Sequence, residues 1–305
     1  MIDGLVDVKR LGARDVDTRN ALRTGRLVRL SSRYAARKDH LEALAPHEAR
    51  WLRAVVAGRT MPRAVLTGRA AARVQGMWVV TTSKEEVELL LPSGAPPPRQ
   101  QWPRGCVYVR GKYTPEEIVD AGTFRHTTAI RTAIDIATRH GFREGLVAMD
   151  CLVANQHHRR DIVTAIGNLS RTRNIATARR VVKHAVSNSR SPYESFARAV
   201  LIGEGYVGVR ANARVGPYEA DLLCGPLIWE IDGDITYDGV TYRPTAEMIR
   251  YEREREKDLQ NMGYIVRRIT PSQLLRNEQE FLFLTRLALR GATPPASPDL
   301  PPPPR

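Results

Sequence analysis

The stretch IWEIDGDITYDG, residues 228 to 239, places Glu230, Asp232, Asp234 and Asp238 within twelve residues of a chain whose net charge is +14. Just upstream, YEADLL carries Asp221, and Gly225-Pro226 separates the two β-prone runs as a turn would. An antiparallel hairpin centred on that turn sets Asp221 opposite Glu230, with Cβ atoms about 5 Å apart. Like charges at that distance repel unless a cation lies between them. Carboxylate oxygens with open water positions suit Mg²⁺ (or Mn²⁺), and such an ion activates water and stabilises charge on a phosphodiester. Hydrolysis at phosphorus is therefore the chemistry these residues suit. An acidic hairpin surface is the other reading, and spacing alone leaves both open.

Two further elements carry candidates. Glu194 has Arg198 one helical turn away, either as a plain i, i+4 ion pair or as an acid aimed at the metal beside its orienting partner. In YEREREKD, Glu252, Arg255, Glu256 and Leu259 fall along one side of a helix, and Arg255 or Lys257 could hold phosphate. The same run equally describes a solvated helix laced with salt bridges. The metal candidates are thus Asp221, Glu230 and Glu194, with Asp232 as an additional or supporting carboxylate.

The elements that must position these groups can be read from the flanking sequence. Ser191 caps and Pro192 opens a helix ending at Gly203 and Gly205; strands VRANARVG, YEADLL and LIWEID follow. A long helix TAEMIRYEREREKDLQNMG, a strand YIVRRI and a last helix from Pro271 to about Arg290 complete the order α-β-β-β-α-β-α. That order belongs to an α/β (α+β) fold. Strand alternation puts Glu230 and Asp232 on one face and Trp229 and Ile231 on the other, so the apolar pair can be buried without the acids.

Residues 1 to 190 hold 33 Lys and Arg against 17 Asp and Glu, whereas the remainder is slightly acidic. A basic face of that kind suits a polyanion such as nucleic acid, although an Arg-rich genome composition would produce the same count. RDVDTRNALRTGRLVRLSSRYAA reads as a helix followed by two short strands, a small winged-helix-like unit over residues 1–45 in which Arg26, Arg29 and Arg33 are candidates for contact with nucleic acid. ARRVVKH contributes Arg179, Arg180 and Lys183. Between them, PHEARWLRAVVAG reads as a helix stopped by Gly58, TGRAAARVQG as another, and MWVVTT, VELLLP and CVYVRG as strands. In TAIRTAIDIATRHG, Ile130, Ile134 and Ala137 form one stripe ahead of a glycine break. Residues 46–189 thus form a mixed α/β and helical region, 190–290 the acidic-site domain and 291–305 a Pro-rich disordered tail. Cys106, Cys151 and Cys224 have no paired spacing and read as core thiols. No signal peptide or membrane span is visible, so the expected address is cytoplasmic, with no membrane partner.

Taken in order, SPYESFAR, NARVGPYEADLL, IWEIDG and EREREKDLQNMGYIVRRI resemble the Vsr-like endonuclease domain of the PD-(D/E)XK restriction-endonuclease-like fold, over about residues 190 to 290. The resemblance implies functional positions at Glu194, Ser195 and Arg198, at Asp221, at Glu230, Asp232 and Gly233, at Arg255, Glu256 and Leu259, and at Gly263 with Arg267 or Arg268. The first 190 residues are similar to AbiEi-type antitoxins, which implies DNA binding by the N-terminal unit and a partner toxin. One departure stands out: relatives commonly place a Lys or His where this chain has Thr236, and Asp232 occupies the slot of the Lys that helps to position and deprotonate water. The resemblance therefore implies a DNA-binding protein with a Mg²⁺-dependent endonuclease domain; its alternative is a catalytically degenerate transcriptional regulator or antitoxin that uses the nuclease fold as a scaffold. Basic charge does not separate DNA from RNA.

Overall fold

The computed structural model describes residues 4–92, 95–169, 171–233 and 246–290. Asp234, Thr236, Asp238 and the Pro-rich tail lie outside the described residues. Over the described residues the chain is α+β, with three separate sheets and helices gathered around them.

The N-terminal unit comprises β1 (Val6–Asp7), α1 (Val16–Arg23), β2 (Leu27–Arg29), β3 (Tyr34–Arg37) and α2 (Lys38–Ala43). Its antiparallel sheet has the order β1-β3-β2, so the expected helix-then-hairpin pattern is present. Leu27 and Ala35 are buried on one of its faces and Ala36 on the other, a small apolar content for so short a hairpin.

A five-stranded sheet of order β6-β5-β4-β8-β7 follows. It is built from β4 (Val65–Leu66), β5 (Val87–Leu90), β6 (Cys106–Tyr108), β7 (Ile118–Asp120) and β8 (Arg125–Thr127), with α3 (Pro46–Thr60) and α4 (Gly68–Val74) packed on it. Gly58 does not stop α3, which runs on to Thr60. A Cβ at this position would lie 2.7 Å from Phe124 Cβ, so the glycine serves close approach rather than termination. MWVVTT forms no strand. It crosses α5 (Ala129–Ala154) as an extended strap, with Trp78 N donating to Cys151 Sγ at 3.3 Å and Thr82 N to Glu144 Oε1 at 3.2 Å. Its four consecutive apolar side chains serve two cores instead of a sheet: Met77 and Val79 pack on one cluster, Trp78 and Val80 on another.

Helix α5 is broken where the glycine was expected to break it, at Gly141 with φ of 87°. Together with α6 (Arg159–Asn168) and α7 (Ile175–His184) it buries Ile134, Ala137, Leu146 and Met149. The C-terminal unit contains α8 (Pro192–Gly203), β9 (Arg210–Val215), β10 (Tyr218–Cys224), β11 (Leu227–Ile231), α9 (Ala246–Asn261), β12 (Ile265–Ile269), α10 (Pro271–Arg276) and α11 (Glu278–Leu289). Its sheet order is β12-β11-β10-β9; β11 and β12 are parallel and α9 makes the crossover between them. The last helix is two helices, because Asn277 leaves helical geometry and accepts from Glu280 N to cap α11.

Core packing crosses the expected boundary near residue 190. Val80 and Val147 pack with Phe196, Leu201 and Trp229, and Ala199 joins the α5 cluster. A buried ion pair binds the same two regions: Arg198 on α8 grips both oxygens of Asp150 on α5, at 2.9 and 2.7 Å. Arg198 is therefore committed to α5 and is not the i, i+4 partner of Glu194. Cys151 and Cys224 are buried and Cys106 half-buried, all as free thiols.

Candidate active site

Local sequence explains where each acid stands. Gly225 has φ of 56°, a conformation natural to glycine, and lets β10 turn into β11 within two residues. The ladder pairs Cys224 with Leu227, Leu223 with Ile228 and Leu222 with Trp229. One further step in that register sets Asp221 across from Glu230. Leu227 and Trp229 pack towards α8 and α11, whereas Ile228 packs towards Leu259 of α9. By alternation Glu230 shares the α9 side with Ile228, and both acids open towards that helix.

The pair is compressed electrostatically. Glu230 is only 7% exposed. Burial, reinforced by the Asp221 charge and opposed by Arg255, pushes its carboxyl up to about 7. Asp221 is raised too, first by burial; Ile231 N, which donates to Asp221 Oδ2 at 2.8 Å, opposes the shift, and the Glu194 charge adds to it. Removal of a proton from this pair therefore costs more than in water, the condition a bound cation would relieve.

Glu194 arrives from the first turn of α8. Ser191 Oγ accepts from Glu194 N at 3.1 Å as the helix cap, which orients this turn. The Glu194 side chain is buried, and its Oε2 accepts from Arg190 N at 2.9 Å and from Asn212 Nδ2 at 2.7 Å. Asn212 is the residue that sequence reasoning missed. It lies opposite Asp221 on β9, has φ of 41° and is passed over in the β9–β10 ladder. On its two sides the apolar layers change places: Ala211 packs with Leu222 and Trp229, whereas Ala213 packs with Ala220 and Ile228. An Asn within an otherwise β-prone run, tolerant of left-handed geometry, was the available signal.

Helix α9 covers the acids. Leu259 is fully buried against Leu223, Ile228 and Tyr264, which sets the helix face. One turn earlier Arg255 donates to Glu230 Oε1 at 2.7 Å and to Glu219 O at 2.8 Å, stapling both hairpin strands. Glu252 takes Arg268 at 2.7 Å, and Arg268 also reaches Asp232 at 3.4 Å. The β11–β12 register pairs Arg268, not Arg267, with Glu230. Lys257 is exposed and stands roughly 200° round the helix from Arg255, so it is not brought to the acids. Asp232 is exposed and engaged by Arg268.

Asp221 and Glu230, with Glu194 in electrostatic reach, are the residues that could hold a divalent cation. Mg²⁺ is commonly held by one or two carboxylates and keeps several waters, so this donor set fits it. Among the described residues no three His, Cys, Asp or Glu side chains close around a single point. As it stands, Arg255 supplies the positive charge beside Glu230.

The basic candidates are distributed more widely. Arg26 and Arg29 are exposed on the hairpin unit, and Arg179 and Lys183 stand one turn apart on the open face of α7. Arg180 instead lies over the Phe142 ring at 4.2 Å. Arg33 is half-buried and braces β1, with Nε 2.9 Å from Asp7 Oδ2, so much of its charge is already answered.

Among the described residues no helix is long and apolar enough to cross a membrane. Compared with known proteins, the chain matches no family model, no curated protein and no solved structure.

Proposed function

We propose that this chain binds nucleic acid, DNA in the first instance, and that its C-terminal unit is a Mg²⁺- or Mn²⁺-dependent endonuclease site that hydrolyses phosphodiester bonds. The observation that carries this reading is the pairing of half-buried Asp221 with buried Glu230 on one face of the β10–β11 hairpin, with the Glu230 carboxyl pushed up to about 7. A cation held by Asp221 and Glu230, with Glu194 beside them, would supply Lewis acidity and activation of water. Glu194 is kept in place by Asn212 and the α8 turn; Arg255, on the phosphate side of the pair, would exchange its hold on Glu230 for the scissile phosphate. The ordered segments resembling the Vsr-like domain support the same assignment, and the exposed Arg26, Arg29, Arg179 and Lys183 suit backbone contacts to DNA.

A second reading is favoured by a specific observation. Arg255 already neutralises Glu230, and Asp232 stands where the resemblance calls for Lys. An ion pair in place of a metal is what a degenerate scaffold would retain, in a DNA-binding regulator or antitoxin with a partner toxin. Calorimetric titration of Mg²⁺ or Mn²⁺ with a plasmid-cleavage assay decides between the two. For the nuclease, Asp221→Ala and Glu230→Ala abolish metal-dependent cleavage while affinity for DNA is retained. Cleavage surviving in both variants rules the assignment out. DNA binding with no metal uptake by the unmodified protein selects the regulator.

A further inference from the structure

A second charged concavity lies away from the carboxylates. It is bounded by residues 109–113 after β6, by the N-terminal half of α5 and by residues 171–174 ahead of α7, and encloses about 1080 Å³. Six of its lining side chains are cationic, Arg110, Lys112, Arg131, Arg139, Arg171 and Arg173, against the single acid Asp135. They divide into a floor and a rim.

The floor is held rigidly. Arg131 lies 3.6 Å over the Tyr113 ring, donates to Glu117 at 2.7 Å and reaches Asp135 at 3.1 Å. Arg139 bonds Glu88 at 2.9 Å and also the Tyr113 hydroxyl. Thr67 and Tyr113 donate to Asp135 at 2.5 and 2.9 Å. Those carboxylates answer the floor cations. The rim differs: Arg110, Lys112, Arg171 and Arg173 are exposed, and among the described residues their side chains have no ion pair or hydrogen bond. Four unanswered cations converge on one concavity, beside the N-terminus of the ten-residue helix α7, whose dipole adds positive potential. Arg179 and Lys183 continue the charge along α7. A concavity with a fixed floor and a free cationic rim that leads into a basic helix face suits a chain of phosphates better than one compact anion.

We propose that this concavity is a polyanion site that holds successive phosphates of a nucleic-acid strand and leads the strand along α7, separately from the carboxylate cluster. The inference rests on the nucleic-acid reading above but not on catalysis. It concerns binding only, and no bond is made or broken.

The test uses the full chain with the rim replaced, Arg110→Ala, Lys112→Ala, Arg171→Ala and Arg173→Ala together, and Arg26→Ala with Arg29→Ala as the comparison. The rim side chains carry no ion pair or hydrogen bond among the described residues, and the Lys112 carbonyl that accepts from Arg131 is kept in the variant, so its thermal unfolding should match that of the unmodified protein. Affinity for a labelled oligonucleotide is measured against salt. The expected result is a loss of at least about tenfold in affinity and a salt slope shallower by about two to four. Tripolyphosphate is titrated in parallel as a free phosphate source. Strand binding with unchanged affinity and slope in the rim variant overturns the inference while leaving the nucleic-acid reading intact. So does loss of tripolyphosphate binding alone, which would assign the concavity to a free phosphorylated ligand. An unmodified protein that binds no oligonucleotide defeats the wider reading and this one with it.

Discussion

Replacing Glu230 by Gln is the sharpest probe of the acid pair. The carboxyl moves from an ordinary value of 4.5 to about 7 on folding, which corresponds to about 3 kcal/mol against the ionised form. The sign follows from proton counting. Below pH 4.5 both folded and unfolded chains hold this proton; between 4.5 and about 7 only the folded chain holds it; above 7 neither does. Stability therefore falls as pH rises through that window, and the contribution is fully lost above it. Glu230→Gln cannot titrate, although it retains an oxygen for Arg255. Stability measured by denaturant unfolding at pH 5 and pH 8 should thus drop by about 2.5 kcal/mol more in the unmodified protein than in the variant, since at pH 5 the unfolded chain has already released most of this proton. Comparing the two drops removes any constant offset from the altered Arg255 contact. Under the nuclease reading, Mg²⁺ added at pH 8 shrinks the difference, since it favours the ionised carboxylate. Equal pH dependence in the two proteins would falsify the electrostatic argument, since Glu230 would then titrate alike folded and unfolded.

Other substitutions examine neighbouring steps of the argument. Asp221→Asn removes the second cause of the Glu230 shift but leaves the burial, so carboxyl NMR of a labelled Glu230 should find it titrating lower than about 7 yet still above 4.5. Asp150→Ala strands the Arg198 guanidinium, 3% exposed at its side chain, and should cost about 3 to 5 kcal/mol in unfolding free energy. The replacement Gly58→Ala drives a methyl to 2.7 Å from Phe124 Cβ, and the resulting loss of about 1 to 3 kcal/mol is measurable by denaturant unfolding.

Much of the C-terminal unit was legible because its signals are local. The Ser191-Pro192 start, the Gly225-Pro226 turn and the Gly263 stop each act within a few residues, and the hairpin register that pairs Asp221 with Glu230 follows from the turn alone. Other elements answer to distant partners. MWVVTT has a buried strand's apolar run but lies across α5, because its two faces are buried by two different cores, one helical and one shared with the C-terminal sheet. Gly58 resembles a helix stop, yet Phe124, which requires its missing Cβ, lies more than sixty residues away in sequence.

What the sequence determined by itself was the α+β class, the order of elements around the acids and the identity of the facing carboxylate pair, all consequences of side-chain period and turn chemistry. What only the tertiary structure decided was the company those acids keep. Arg198 left Glu194 for Asp150, Asn212 took its place, Arg255 rather than Lys257 reached Glu230, and four cations from two loops met over α5. Ion pairs and hydrogen bonds between distant segments depend on how layers pack, and nothing in a linear spacing encodes which of several cations a buried carboxylate will meet.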